Sequence, residues 1–136
     1  PRGSATRAAE IVATSKALDE ALWAAIRRGD AAEDWSRGHS LVAASEGRVL
    51  QERFVDYAER YWDDLIEVLH DSADRDERAI AAQVVAYAKD KAAVVPHLEQ
   101  AALDSDSGVR NNATRALLPA ERPASPRVST RRATCC

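Results

Sequence analysis

The segment of residues 30–40 has the highest density of side chains that could take part in catalysis. Ser36 and His39 lie three residues apart, with Asp34 nearby, and nucleophilic catalysis needs a hydroxyl or thiol beside a base that a third group orients. Loops often carry such sites. Residues this close in sequence seldom converge around one substrate, however, so we expect Trp35 to anchor a loop whose polar neighbours face water.

The other residues with catalytic or metal-binding chemistry are dispersed. His39, His70 and His97 are far apart, and no HxxxH or CxxC spacing occurs, whereas a zinc site needs clustered ligands. General acid catalysis by paired carboxylates would need one of them to be buried. We expect the pairs in this chain to be solvated or to cap helices; they are Asp63 and Asp64, Asp71 and Asp74, and Asp104 and Asp106. The sequence therefore predicts a protein that is not an enzyme and has no metal or cofactor.

The two ends of the chain differ from its body. Cys135 and Cys136 are adjacent and cannot link distant segments; we interpret them as a vector-derived or out-of-frame end, with a metal or lipid site as the alternative. Residues 119–136 are rich in Pro, Ser and Arg and are predicted to form a disordered basic tail. Residues 1–4 resemble the end of a thrombin-cleavable tag linker. They are either a remnant of such a tag or a chance match, and in both cases we expect them to lie outside the fold.

Composition predicts a helical protein. Hydrophobic residues make up 46% of the 136 residues, and only 5 are Gly and 5 Pro, while alanine, the best helix former, is abundant. A β-sandwich, a disulfide scaffold and a collagen-like chain are excluded. The net charge of −3 gives no reason to expect nucleic acid as a partner. No apolar run is long enough to span a membrane, and with no visible signal peptide we expect a cytoplasmic protein.

Apolar periodicity places the first two helices. In residues 5–28 an apolar stripe runs through Ile11, Leu18, Leu22 and Ile26 at spacings of seven, four and four. A second, long helix is predicted from Ser45 to about His70, because its apolar residues recur by threes and fours and no Gly or Pro lies between Gly47 and Pro96.

The second helix also contains an aromatic pair. Tyr61 lies on its apolar stripe, and Trp62 points about 100° away. A neighbouring helix could bury Trp62, or a partner could use it as an exposed aromatic residue. We expect burial, because stacked helix pairs cover both sides of such a helix.

Three shorter helices follow, each beginning at an aspartate. Asp74 with Glu77 resembles a capping box, Asp90 follows a tight break at Lys89, and Asp106 precedes the last apolar stripe. Pro96 is expected to kink or delay its helix, and Pro119 to end the last one.

The second half of the chain repeats with a period of 32 residues. This shift places Asp74 on Asp106, Arg78 on Arg110 and Ala81 on Ala113. Each copy consists of a helix, a short acidic turn and a second helix that begins at Asp and reaches Arg four residues later. One such pair cannot bury its apolar stripe alone, but stacked pairs can.

These residues resemble the HEAT repeat, which typically has a Pro in its first helix, an Asp at the turn and Val-Arg at the start of its second helix. Here they are Pro96, Asp104, Val109 and Arg110. The pattern also resembles the bacterial subclass first noted in phycobilisome lyases. The resemblance implies an all-α fold, a short α-α solenoid of about five helices. Its single domain would span residues 5–118, with N-terminal helices in 5–58 and repeats in 59–88 and 89–118.

The resemblance also implies a ladder of polar contacts between adjacent repeats. Its members would be structural rather than catalytic, and acids near a helix start meet its positive end. The ladder residues are Asp74, Arg78, Asp104, Asp106 and Arg110.

We expect such a stack to be a non-catalytic scaffold that binds another protein on its concave face. The candidate contact residues are Gln83, Asn111, Asn112 and Arg115. A subunit of a HEAT-like bilin lyase and a nucleic-acid-binding HEAT-like module are the alternatives, and the acidic body of the chain argues against the latter. Two clear repeats are few for a stable stack, so residues 5–58 supply a third pair, or the chain dimerises or belongs to a longer array.

Overall fold

A computed structural model describes the backbone of residues 2–120 and the side chains of residues 7–119. Within that range it has six helices: α1 Arg2–Arg27, α2 Ser45–Arg60, α3 Trp62–Asp71, α4 Arg75–Val85, α5 Lys91–Ala101 and α6 Ser107–Ala120. Two short antiparallel strands, β1 Glu33–Asp34 and β2 Leu41–Val42, pair with Glu33 opposite Val42. The predicted all-α fold is confirmed.

The helices stack in pairs. α3 packs beside α4 and α5 beside α6, while α4 lies against α6 and α3 against α5. α2 continues the layer of second helices by packing on α4, and α1 packs on α2. The result is a short α-α solenoid, as the repeat predicts, because each pair buries its apolar stripe only against its neighbours.

Small residues occupy the seams between the second helices. Ala81, Ala82 and Ala113 are fully buried, together with Val84 and Val109. A methyl side chain lets two helix backbones approach closely. The abundance of alanine therefore reflects this packing as well as helix propensity.

The predicted long helix from Ser45 to His70 is wrong, because the chain leaves the helical conformation at Tyr61. The backbone angles there are φ −119° and ψ 26°, although the amide of Tyr61 still donates to Tyr57 O. α2 packs on α1, whereas α3 packs on α4, so the break lets the two halves follow different neighbours. Arg7 and Arg60 cover the Tyr61 ring at 5.3 and 5.4 Å from its centroid. This break raises the number of helices from about five to six.

Two further boundaries differ from the prediction. α1 begins at Arg2, inside the segment expected to lie outside the fold. α6 continues through Pro119 to Ala120, since a proline removes one amide donor without preventing another helical residue. The rest of the predicted tail, residues 121–136, lies outside the described residues.

The buried stripe of α1 also differs from the prediction. Ile11, Leu18 and Ala25 are buried at intervals of seven residues, whereas Ile26 is exposed. At about 100° per residue, Ile26 lies roughly 80° from Leu18 around the helix, while Ala25 lies nearly above it. The exposed face of α1 therefore carries Ile26 and its neighbour Trp23.

The three predicted aspartate caps are present. Asp74 accepts from the backbone amides of Asp76 and Glu77, Asp90 from that of Ala93, and Asp106 from those of Gly108 and Val109. Each cap satisfies amides that a helix start leaves without partners.

Replacement of a buried leucine should lower the stability of the fold much more than replacement of an exposed leucine. Leu98 is fully buried and Leu103 is 85% exposed. We expect Leu98→Ala to lower the free energy of unfolding by about 2–5 kcal/mol, because it leaves a cavity. The matched control, Leu103→Ala, should change it by less than about 0.5 kcal/mol. Urea denaturation followed by circular dichroism measures both, and equal losses would contradict this packing.

Candidate functional site

A bidentate ion pair joins the two HEAT-like repeats. Arg78, in the first turns of α4, donates from Nε and Nη2 to the two carboxylate oxygens of Asp104 at 2.9 and 3.0 Å. A third donor, Nη1, reaches Ser72 O at 2.9 Å. Both side chains are shielded, at 13% and 14% exposure. The hydrogen bonds from Arg78 lower the pKa of the Asp104 carboxyl below its ordinary value.

The other ladder residues act within their own turns. Arg110 donates to Asp104 O and Ser105 O at 2.8 and 2.9 Å, and so repeats the contact that Arg78 makes with the preceding turn. Asp74 and Asp106 cap their helices. The structure therefore brings Arg78 and Asp104 together across the repeats. The other three ladder residues, Asp74, Asp106 and Arg110, each stabilise the turn of their own repeat.

A cleft opens where α1 and the β-hairpin face α4 and α6. Its cavity has a volume of about 120 Å³. α4 and α6 contribute Gln83, Asn112 and Arg115, which are three of the four predicted contact residues. The opposite wall consists of Leu18 and Leu22 from α1 together with hairpin residues Glu33, Trp35, Gly38, His39 and Ser40. Asn111 is exposed and is not part of the cleft.

Two of the predicted contact residues also hold the fold together. Gln83 accepts a hydrogen bond from Ser15 Oγ at 3.1 Å, which ties α4 to α1. Asn112 donates to Ala79 O at 3.0 Å, which ties α6 to α4. Sequence reasoning missed these roles, because neither partner is near in sequence.

The hairpin is attached to the stack through Lys91. Its Nζ donates to Ala86 O at 2.7 Å and contacts His39 Nδ1 at 3.0 Å. The His39 ring also packs on Tyr87, with centroids 4.9 Å apart. Burial, together with the charges of Lys91 and Arg37, lowers the pKa of His39 to about 4, and burial lowers that of Lys91 to about 8. At neutral pH His39 is therefore uncharged and accepts at Nδ1.

Gly38 makes this attachment possible. Its φ is +79°, a conformation that L side chains rarely adopt, and a Cβ there would come within 2.9 Å of Lys91 Cε. The requirement for glycine is thus both conformational and steric.

The hairpin residues considered for catalysis do not form a triad. The backbone amide of Ser36 donates to Asp34 Oδ1 at 2.9 Å, which closes a local turn, while His39 pairs with Lys91. The segment of residues 30–40, expected to be an aperiodic loop, contains β1, which pairs with β2. Gln51 of α2 holds this hairpin in place, because its Oε1 accepts a hydrogen bond from the backbone amide of Val42 at 2.7 Å.

A second cavity of about 240 Å³ continues the cleft along α1. It shares Leu22, Glu33 and Arg115 with the first. Trp23 lies beside it at 62% exposure, with Ile26, and Trp35 at the first cavity is 37% exposed. We name Trp23, Ile26, Trp35 and Arg115 the tryptophan surface. Sequence reasoning missed Trp23 and Ile26, because it placed the first beside a buried stripe and the second within it.

Two histidines that are distant in sequence lie together. His70 Nε2 is 2.9 Å from His97 Nδ1, and the Trp62 and His97 rings pack edge to face with their centroids 5.8 Å apart. Trp62 packs against the core, but it is only partly buried rather than covered as expected. In residues 2–120 no group of three or more His, Cys, Asp or Glu residues could hold a metal ion.

The family model of HEAT repeats matches residues 62–129, which is half of the chain. The chain belongs to the HEAT-repeat family. Neither the curated proteins nor the solved structures contain a match to it. None of the helices in the described range is long and apolar enough to cross a membrane.

Removal of the ion pair between repeats should make stability less sensitive to acid. The folded-state pKa of Asp104 lies below its ordinary 3.8, so the pair stabilises the fold above that pH and is lost as pH falls through the lowered value. We expect Arg78→Gln to lower the urea midpoint at neutral pH, and this deficit to shrink below pH 3.8.

Urea denaturation of wild type and variant at neutral and acidic pH measures the deficit. Arg75→Gln removes an exposed arginine of the same helix and is the matched control, with no expected change. A deficit that is the same at both pH values would contradict the role assigned to the pair.

Proposed function

We propose that the protein is a non-catalytic module that binds another protein through the tryptophan surface. The single observation that carries this proposal is the exposure of Trp23 and Trp35 beside a cleft that Arg115 borders. Tryptophan and arginine are the residue types that most often dominate the binding energy of protein interfaces. A desolvated indole contributes a large apolar area at a small cost in side-chain entropy.

The polar contact residues complete this surface. Arg115 lies at both cavities, and Gln83 and Asn112 lie in the wall of the first. Their internal hydrogen bonds to Ser15 and Ala79 fix their orientation, so less side-chain entropy would be lost on binding. Asn111 is exposed on the same helix but lines neither cavity, and its contact role stays a prediction.

Several features support a binding role over catalysis. HEAT-repeat proteins are typically scaffolds, and the ladder residues are engaged in caps and in the contact between repeats. The charged residues that line the two cavities are of both signs: Arg115, Glu33 and Asp19. This mixture of charges in the lining favours a protein partner over nucleic acid and gives no specific support for a bilin. A cytoplasmic location belongs to the same proposal.

Self-association is the second part of this proposal. Leu103 and Leu118, on the last helix pair among the described residues, are exposed. Exposed leucines in this position are what a further repeat or a second copy would cover. Light scattering on the purified chain decides between monomer and dimer.

Removal of either exposed tryptophan should weaken partner binding strongly. We expect Trp23→Ala and Trp35→Ala each to raise the Kd about thirtyfold, because truncation of a central interface aromatic typically costs about 2 kcal/mol or more. A photo-crosslinking amino acid at position 35 would identify the partner, and calorimetry would then give the Kd of each variant.

The matched control is Leu103, which is exposed but belongs to another part of the molecule. A crosslinker at position 103 should not capture the same partner, and Leu103→Ala should bind it as tightly as wild type. Wild-type affinity in both tryptophan variants would refute the proposed surface.

A further inference from the structure

The last described helix ends beside the cleft, and more of the chain follows it. Pro119, in the last turn of α6, lines the first cavity, and Arg115 of the same helix lines both cavities. α6 ends at Ala120, and residues 121–136 of the sequence come after it. The chain that follows α6 is therefore attached at the edge of the tryptophan surface.

The sequence directly after α6 is rich in arginine. Residues 121–132, which we name the arginine segment, contain four arginines and one acid, a net charge of +3. The arginines are Arg122, Arg127, Arg131 and Arg132. Because the whole chain carries −3, the rest of it carries −3 minus +3, or −6. A basic segment that is attached to an acidic body is attracted to it over short distances.

The tryptophan surface offers the groups that arginine side chains bind. Trp23 is 62% exposed and Trp35 is 37% exposed, and a guanidinium group stacks favourably on the face of an indole. Asp19 and Glu33 line the cavities, and among the described residues neither has an ion-pair partner. Arg115 offsets one of these acids, so the lining keeps one net negative charge.

The arginine segment is long enough to cover both cavities. A chain of this length spans about 40 Å when it is extended. The two cavities adjoin at Leu22, and along α1 they run from Leu18 to Ile26, which is about 12 Å of helix. A segment attached this close has an effective concentration in the millimolar range, so contacts that are individually weak are enough to hold it.

We propose that the arginine segment binds the tryptophan surface of its own chain, with its guanidinium groups on Trp23 and Trp35 and beside Asp19. The bound segment covers the surface proposed for the protein partner, so the partner must displace it. This regulatory consequence rests on the proposed function, whereas the binding of the segment itself does not.

Nitrogen-15 NMR of the tryptophan indoles in the full chain tests the proposal without any partner. A variant without the four cations should have shifted indole signals for Trp23 and Trp35, because the stacked guanidinium groups are gone. It combines Arg122→Gln, Arg127→Gln, Arg131→Gln and Arg132→Gln. Trp62 lines neither cavity, and its signal should not move. A synthetic peptide of residues 121–132, added to this variant, should restore the wild-type positions.

Arg75→Gln is the matched control, because it removes an exposed arginine from α4 and should shift none of the three indole signals. Unchanged Trp23 and Trp35 signals in the fourfold variant would overturn the proposal, and so would equal shifts in the control.

A spin label distinguishes the chain's own segment from that of a second copy. Cys136→Ser leaves Cys135 as the single thiol of the chain, and a nitroxide attached there should broaden the Trp23 and Trp35 signals more than that of Trp62. Isotope-labelled chain mixed with unlabelled, nitroxide-bearing chain should show no broadening. Broadening in the mixture would assign the segment to a second copy and overturn the proposal.

The regulatory consequence has its own measurement. Once the partner is identified, the fourfold variant should bind it at least about twofold more tightly than wild type does, which is the gain expected if the segment occupies the surface half of the time. Shifted indoles with an unchanged partner affinity would support the binding of the segment and count against the surface proposed for the partner.

Discussion

The hydrogen bond between Lys91 and His39 is the contact on which the cleft depends. It joins the hairpin, which belongs to the N-terminal half of the chain, to the start of α5 in the second repeat. Lys91 also donates to Ala86 O near the end of α4, so one ammonium group holds three segments together. The contact satisfies His39 Nδ1 and the partly buried ammonium of Lys91, with the imidazole neutral and the ammonium as donor. Without this attachment the hairpin would not close one wall of the cleft.

The attachment of the hairpin adds one wall of a cleft to the helical stack. The repeat helices alone provide the ion pair between Arg78 and Asp104 and an inner layer of second helices. α1 and the hairpin cover part of that layer, and Trp23 and Trp35 are exposed beside the two cavities that result. The same covering encloses His39 Nε2 and Ser40 Oγ, which have no hydrogen-bond partner among the described residues.

Local sequence signals predicted the helical architecture, while long-range packing decided the site. Asp74, Asp90 and Asp106 were recognisable as caps because a cap acts within four residues. The break at Tyr61 was not predictable from periodicity, since no Gly or Pro marks it and only the neighbours of α2 and α3 differ. Gln83, Asn112 and Arg115 were predicted from their place on second helices, but the opposite wall was missed. His39 is 52 residues from Lys91, and no spacing rule connects them.

The protonation of His39 tests the central claim most directly, because only a hairpin docked on Lys91 buries the ring. The measurement is a pH titration of the His39 ring nitrogens by NMR. Burial and the charges of Lys91 and Arg37, with Asp34 opposing them, predict a pKa of about 4 and a neutral ring protonated on Nε2 above it. Titration near the ordinary 6.5 would show that the ring is solvated and would contradict a hairpin that closes the cleft.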